Sequence, residues 1–143
     1  MGRGMGRVQR ACLRVVEQYE RDGRWPTTFN IAAEVYAVPP DQDSIRCVTD
    51  AQHVAVKRAL AGLQRHGLVI GFRTGMQRSP GVNGRTELCH HWMTETRLME
   101  WLASEKRPIE IEGQTFGLTP DWRKRVESIE RKARAIGMRV PAP

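Results

Sequence analysis

Cys89-His90-His91 is the one local run in this chain whose residue types could bind a metal or pair a nucleophile with a base. On a strand, Cys89 and His91 project to one side and His90 to the other, and a zinc centre needs two further ligands. Cys12, Cys47, His53 and His66 are scattered through other segments, with no carboxylate at ligand spacing. No metal and no cofactor are therefore expected, and the run reads as a strand that packs Leu88 and Trp92 on a core. The chain also has no phosphate-binding glycine loop, no Ser-His-Asp arrangement and no paired carboxylates, so an enzyme is not expected.

The chemistry that does stand out is cationic. The 143 residues carry a net charge of +7 and a pI near 10.0, which favours an anionic partner. Lys and Arg against Asp and Glu number 7 and 7 in residues 1–50, 6 and 1 in 51–93, and 10 and 8 in 94–143. In the middle segment Lys57, Arg58, Arg65, Arg73, Arg78 and Arg85 face only Glu87, so the positive surface is local. Few aromatic residues lie among these cations, which disfavours stacking on single strands. With 40% apolar and 27% charged residues the composition is ordinary for a globular chain. No apolar run approaches the roughly 18 residues of a membrane span, and residues 1–7 resemble no signal peptide. A cytoplasmic protein with reduced thiols, not bound to a membrane, is the expectation.

The elements that must position these charges follow from periodicity. Val8, Ala11, Cys12, Val15, Val16 and Tyr19 recur at helical spacing and predict a first helix ended by Gly23. Trp25-Pro26 makes an extended turn, after which Thr28 caps a second helix carrying Phe29, Ile31, Ala32, Val35 and Tyr36. Residues 38–48 show no sustained period and form a long connector. Thr49 and Gln52 then make a capping box for a third helix over about 50–66, with its apolar stripe at Val56, Ala59, Leu60 and Leu63 and a left-handed stop at Gly67. Leu68, Ile70 and Phe72 alternate with Val69, Gly71 and Arg73 as a strand. Residues 75–85, with three glycines and Pro80, predict a mobile loop, and 86–93 return as a second strand. Leu98, Met99, Trp101 and Leu102 suggest a short fourth helix capped near Thr94 or Thr96. Ile109 to Ile111 form a candidate short strand. Thr119-Pro120 opens a fifth helix bearing Trp122, Val126, Ile129, Ala133 and Ile136, closed by Gly137, and residues 140–143 are expected to fray. The fold class is mostly α with a small β-hairpin.

The run from Val56 to Val69, with Ala59-Leu60, Leu63 and Gly67-Leu68 at its core and a hairpin after it, resembles the recognition helix and wing of bacterial winged helix-turn-helix regulators of the GntR and MarR groups. Ile31-Ala32-Ala33-Glu34-Val35 resembles the first helix of that motif. The resemblance implies a winged helix-turn-helix domain over 1–93, with a C-terminal helical extension over 94–143 that packs on it or mediates dimerisation. It implies double-stranded DNA as the partner, with the third helix in the major groove and the wing on phosphate or minor groove. Gln52, His53 and Lys57 become the base-reading candidates, because Gln pairs with adenine, His with guanine, and Lys with guanine or phosphate. Thr49 joins them at the helix cap, Arg58 holds phosphate, and Arg73, Gln77, Arg78 and Arg85 lie on the wing.

The expected activity is therefore a DNA-binding regulator of transcription, acting as a repressor, since nothing resembles an activation or small-molecule domain. A DNA-binding accessory protein of a phage or mobile element, working in replication, excision or partition, is equally compatible. So is a winged module used for protein docking or RNA binding. A homodimer through the first and fifth helices is expected, as two-fold proteins suit palindromic sites. Helix-turn-helix motifs use a turn of roughly three or four residues, whereas eleven intervene here. The acidic Asp41-Gln42-Asp43 must then point away from DNA.

Overall fold

In a computed structural model, which describes residues 4–43, 46–78 and 86–142, the order is α1 (Arg7–Arg21), α2 (Thr28–Val35), α3 (Asp50–Arg65), β1 (Val69–Arg78), β2 (Thr86–Thr94), α4 (Glu95–Glu105), β3 (Ile109–Ile111), β4 (Gln114–Phe116) and α5 (Pro120–Ala135). Side chains of 74–78 and 86–89 lie outside the description. The chain is mostly helical with a small antiparallel hairpin, β1 paired to β2, as its periodicities predict. β3 and β4 form a second, shorter hairpin.

Each predicted helix start is made by a side chain that satisfies free backbone amides. At α3 the Thr49 Oγ1 accepts from the Gln52 N–H at 3.1 Å, while the Gln52 Oε1 accepts from the Thr49 N–H at 3.0 Å. At α2 the capping residue is Thr27 and not Thr28, because Asn30 stands three residues after Thr27 and completes a box with both bonds at 3.0 Å. Thr28 is released for another contact, accepting from Trp92 Nε1 at 2.9 Å. Thr94 caps α4, Thr119 caps α5 with Pro120 in its first turn, and Gly67 and Gly137 follow α3 and α5 in the left-handed region.

Two apolar clusters lie on opposite faces of the β1–β2 hairpin. The first joins Cys12 and Val16 of α1, Ile31 and Ala32 of α2 and the Val56, Leu60 and Leu63 stripe of α3 with Val69 and Trp92. The second joins Ile70, Phe72 and Met93 with Leu98 and Leu102 of α4 and Val126, Ile129 and Ala133 of α5. The alternation expected for β1 therefore separates two cores, not a core from solvent. Val69, Ile70, Gly71 and Phe72 are all buried, and it is Leu68, outside the strand, that is exposed. Residues 94–142 fill the second core, with Trp25, Phe72 and Trp101 meeting at ring-centroid distances of 5.7 to 5.9 Å.

Two further expectations are corrected. The loop expected at 75–85 does not begin at Gly75, since Gly75 to Arg78 pair with Cys89 to Thr86 after a bulge between Arg73 and Gly75; residues 79–85 lie outside the described residues. The end of the chain is fastened at Met138 to Val140. Met138 is buried, Val140 packs on the second cluster, and Glu95 accepts from the Arg139 N–H at 2.9 Å and from its Nε at 2.6 Å. The long connector expected between α2 and α3 is present, and it is pinned. Arg46 donates to the carbonyls of Val38 at 2.6 Å and Ala33 at 2.7 Å and pairs with Glu34 at 2.5 Å, satisfying carbonyls at the end of α2. Val48 is buried behind it.

No described helix is long and apolar enough to cross a membrane.

Candidate nucleic-acid interface

The candidate residues divide into two groups. Thr49, Gln52, His53, Lys57 and Arg58 share the N-terminal half of α3, whose apolar stripe is consumed by the first core. Lys57 and Arg58 are exposed and Gln52 and His53 half-buried. Asp50 is the acidic residue of the first turn; it complements the helix dipole but repels phosphate there. Gln52 is partly committed locally, because its carboxamide oxygen accepts from the Thr49 N–H at the cap. Bidentate pairing of Gln52 with adenine, which uses both ends of the amide, has to share that oxygen with the cap. The carboxamide nitrogen is left for an outside acceptor.

Sequence reasoning passed over Val54. It is 44% exposed, and it lies three and four residues before Lys57 and Arg58, so the three share a helix face. An exposed β-branched side chain between two cations can touch a thymine methyl. The signal was present: Val54 falls off the Val56, Ala59, Leu60, Leu63 stripe.

The second group lies on the hairpin. Arg73 is exposed on β1, opposite His90 on β2. Gln77 and Arg78 continue the paired strand beyond the bulge, opposite Glu87 and Thr86, with their side chains outside the description. Arg85 lies outside the described residues altogether. Arg73 is not gathered with the α3 group. It shares a cleft with Arg125 and Lys132 of α5, which lie off that helix's apolar stripe. Their place follows from how α5 docks, which no local pattern encodes.

Gly71 makes that docking close. Its N–H donates to Gln64 Oε1 of α3 at 2.9 Å, and its carbonyl accepts from Lys132 Nζ of α5 at 2.5 Å. The carbonyl of Ile136, just past α5, reaches Gly67, where a Cβ would lie 2.6 Å from it. The end of α3, the outer edge of β1 and α5 are thus one fastened unit. Burial pushes the Lys132 ammonium below its ordinary range, and burial likewise lowers the His91 imidazole, which lies against Phe72 at 6.3 Å.

The apolar stripes of α1 and α5 face inward: Cys12 and Val16 are fully buried, and Val126, Ile129 and Ala133 are nearly so. What α5 turns outward is mixed in charge with cations in excess, Arg123, Lys124, Arg131 and Arg134 being exposed beside Asp121 and Glu127. Exposed apolar side chains gather instead on the second hairpin, at Ile109, Ile111 and Phe116. Among the described residues no three His, Cys, Asp or Glu side chains come together as a metal-binding group. The Cys89 side chain lies outside the description.

No protein-family model matches the chain, and neither a curated protein nor a solved structure is significantly similar to it.

Proposed function

We propose that the protein binds double-stranded DNA as a winged helix-turn-helix regulator of transcription, with α3 in the major groove and the β1–β2 hairpin as its wing. The observation that carries this reading is the outer face of α3. A helix fastened on its inner side by two other helices presents Val54, Lys57 and Arg58, flanked by His53, to solvent. That is the mixture of apolar, imidazole and cationic groups that reads base edges and phosphates. The charge of the segment supports it, with six cations against one carboxylate in residues 51–93. A repressor role rests on the resemblance of the α3 and hairpin sequence to GntR and MarR regulators, and action at the nucleoid follows from it. The pinned connector between α2 and α3 supports the helix-turn-helix arrangement despite its length, since Arg46 ties it to α2 and Val48 buries its end in the first core.

A mobility shift with genomic fragments across a salt series tests the proposal, using the native chain, His53→Ala with Lys57→Ala, and Arg73→Ala with Arg78→Ala. The α3 pair is expected to lose sequence preference, at roughly 1 to 3 kcal/mol per good base contact. The hairpin pair is expected to weaken all sequences alike and to flatten the salt slope. Absence of duplex binding by the native chain, or binding that neither pair affects, overturns it.

A further inference from the structure

We propose that the cleft between β1 and α5 is a phosphate-binding site. It encloses about 270 Å³, lined from the hairpin by Gly71, Arg73 and His90 and from α5 by Arg125, Ser128 and Lys132. Arg125, Ser128 and Lys132 recur at three- and four-residue spacing, so one face of α5 turns all three toward the strand edge. Buried Phe72 and Ile129 form the floor. The volume falls below that of sites for drug-sized ligands, roughly 300 to 1,000 Å³, and suits a single compact group.

Charge decides which group. Arg73, Arg125 and Lys132 bring three cations to the cleft, and among the described residues no carboxylate lines it. Among the described residues none of the three forms an ion pair. Arg125 lies over the Trp122 ring at 5.9 Å, and an anion with several acceptor oxygens complements the three cations above the apolar floor. Two guanidiniums offer forked N–H donors, the geometry that matches phosphate oxygens. The Lys132 ammonium spends one proton on the Gly71 carbonyl and keeps two donors. Ser128 adds a hydroxyl. A carboxylate has two oxygens and one charge, which leaves this set half used; a phosphate group engages it from three sides.

Two sources could supply the phosphate: the backbone of a DNA duplex, which rests on the function proposed above, or a free phosphate or phosphomonoester. The test uses the full chain labelled with nitrogen-15, titrated with inorganic phosphate, with acetate at equal ionic strength as the control, and separately with a short duplex of random sequence. The variants are R125Q, K132M, both together, and K132R, which keeps the charge if loss of the Gly71 contact prevents K132M from folding. Phosphate is expected to shift the Gly71, Arg73 and Ser128 amides saturably, acetate is not, and R125Q with K132M is expected to abolish the response. The duplex is expected to shift the same amides, and the double variant to reduce the salt slope by about 0.9 per lost phosphate contact.

Phosphate shifts without any duplex binding sustain the cleft, assign it to a free phosphate, and overturn the DNA reading. Duplex binding with no phosphate-specific shift, and a salt slope unchanged in R125Q, overturns the cleft and leaves the DNA reading standing.

Discussion

Replacing Gly71 with alanine places a methyl group where the Trp92 ring already lies. A Cβ there would sit 2.7, 2.8 and 2.9 Å from three carbons of the indole, against an ordinary carbon–carbon separation of about 3.5 to 4.0 Å. The ring has to retreat by close to an ångström, and it is not free to do so. Its Nε1 donates to Thr28 at 2.9 Å, its backbone N–H donates to the Pro26 carbonyl at 3.1 Å, and the residue is 8% exposed in the first core. Overpacking of this kind costs about 1 to 3 kcal/mol, offset by about 0.4 to 1 kcal/mol from the lower entropy of the unfolded alanine chain. A net loss of about 1 to 2 kcal/mol is expected, seen as a fall of roughly 3 to 8 °C in Tm for a chain of this size. Urea and thermal unfolding followed by tryptophan fluorescence measure it. The companion W92F removes the clashing carbons, so the double variant should be more stable than the two single losses added together, by about 1 kcal/mol. A G71A protein as stable as the native one, or strict additivity with W92F, would refute close packing of Gly71 on Trp92.

Three other outcomes follow from contacts described above. Gly67→Ala combines a left-handed φ of +72° with a Cβ 2.6 Å from the Ile136 carbonyl. It should cost at least about 1 to 2 kcal/mol in urea unfolding and speed amide exchange at the end of α5. Arg46→Ala frees the α2–α3 connector by removing its bonds to Val38, Ala33 and Glu34, and should cost about 1 to 3 kcal/mol while raising hydrogen exchange in residues 46–49. The Arg139 backbone N–H, then its guanidinium, hold the Glu95 carboxyl below its ordinary 4.5. The ionised form is thus favoured in the fold, so this contribution is complete above pH 4.5 and lost as pH falls through the lowered folded value. Amide exchange at Met138 to Val140 should rise over that window, and E95Q should remove the pH dependence.

What could be read in advance was whatever is encoded within one turn of helix or a few residues of chain. The Thr49–Gln52 box, the Val56 to Leu63 stripe and Gly67 together bound α3 correctly, because capping and left-handed stops are local chemistry. Thr119-Pro120 did the same for α5. With two threonines in a row, the choice between Thr27 and Thr28 hung on Asn30, three residues beyond the true cap. The β3–β4 hairpin turns through Glu112 and Gly113, both at positive φ, and only Gly113 of this pair was a legible turn signal, since Glu is not among the residues that favour that conformation. Burial on both faces of β1 was not, since it needs α4 and α5 to return from later in the chain. Val69 on the supposedly polar side was its only trace. The α3 candidates were found because one helix carries them all. The α5 half of the cationic cleft was not, because Arg125 and Lys132 meet Arg73 across more than fifty residues of sequence.

Both borders of the β1–β2 hairpin are occupied near its base. Pro26 and Thr27 sit along β2, accepting from the Trp92 N–H and bridging His91, while Gln64 and Lys132 take both polar groups of Gly71 on β1. Unpaired strand borders are where foreign chains add, whether as a docking peptide or as the first layer of an aggregate. Here that route is shut over the stretch between the two cores. A second molecule that joins this stretch of the hairpin must therefore do so through side chains, and the hairpin base is left as a fixed partition inside the fold.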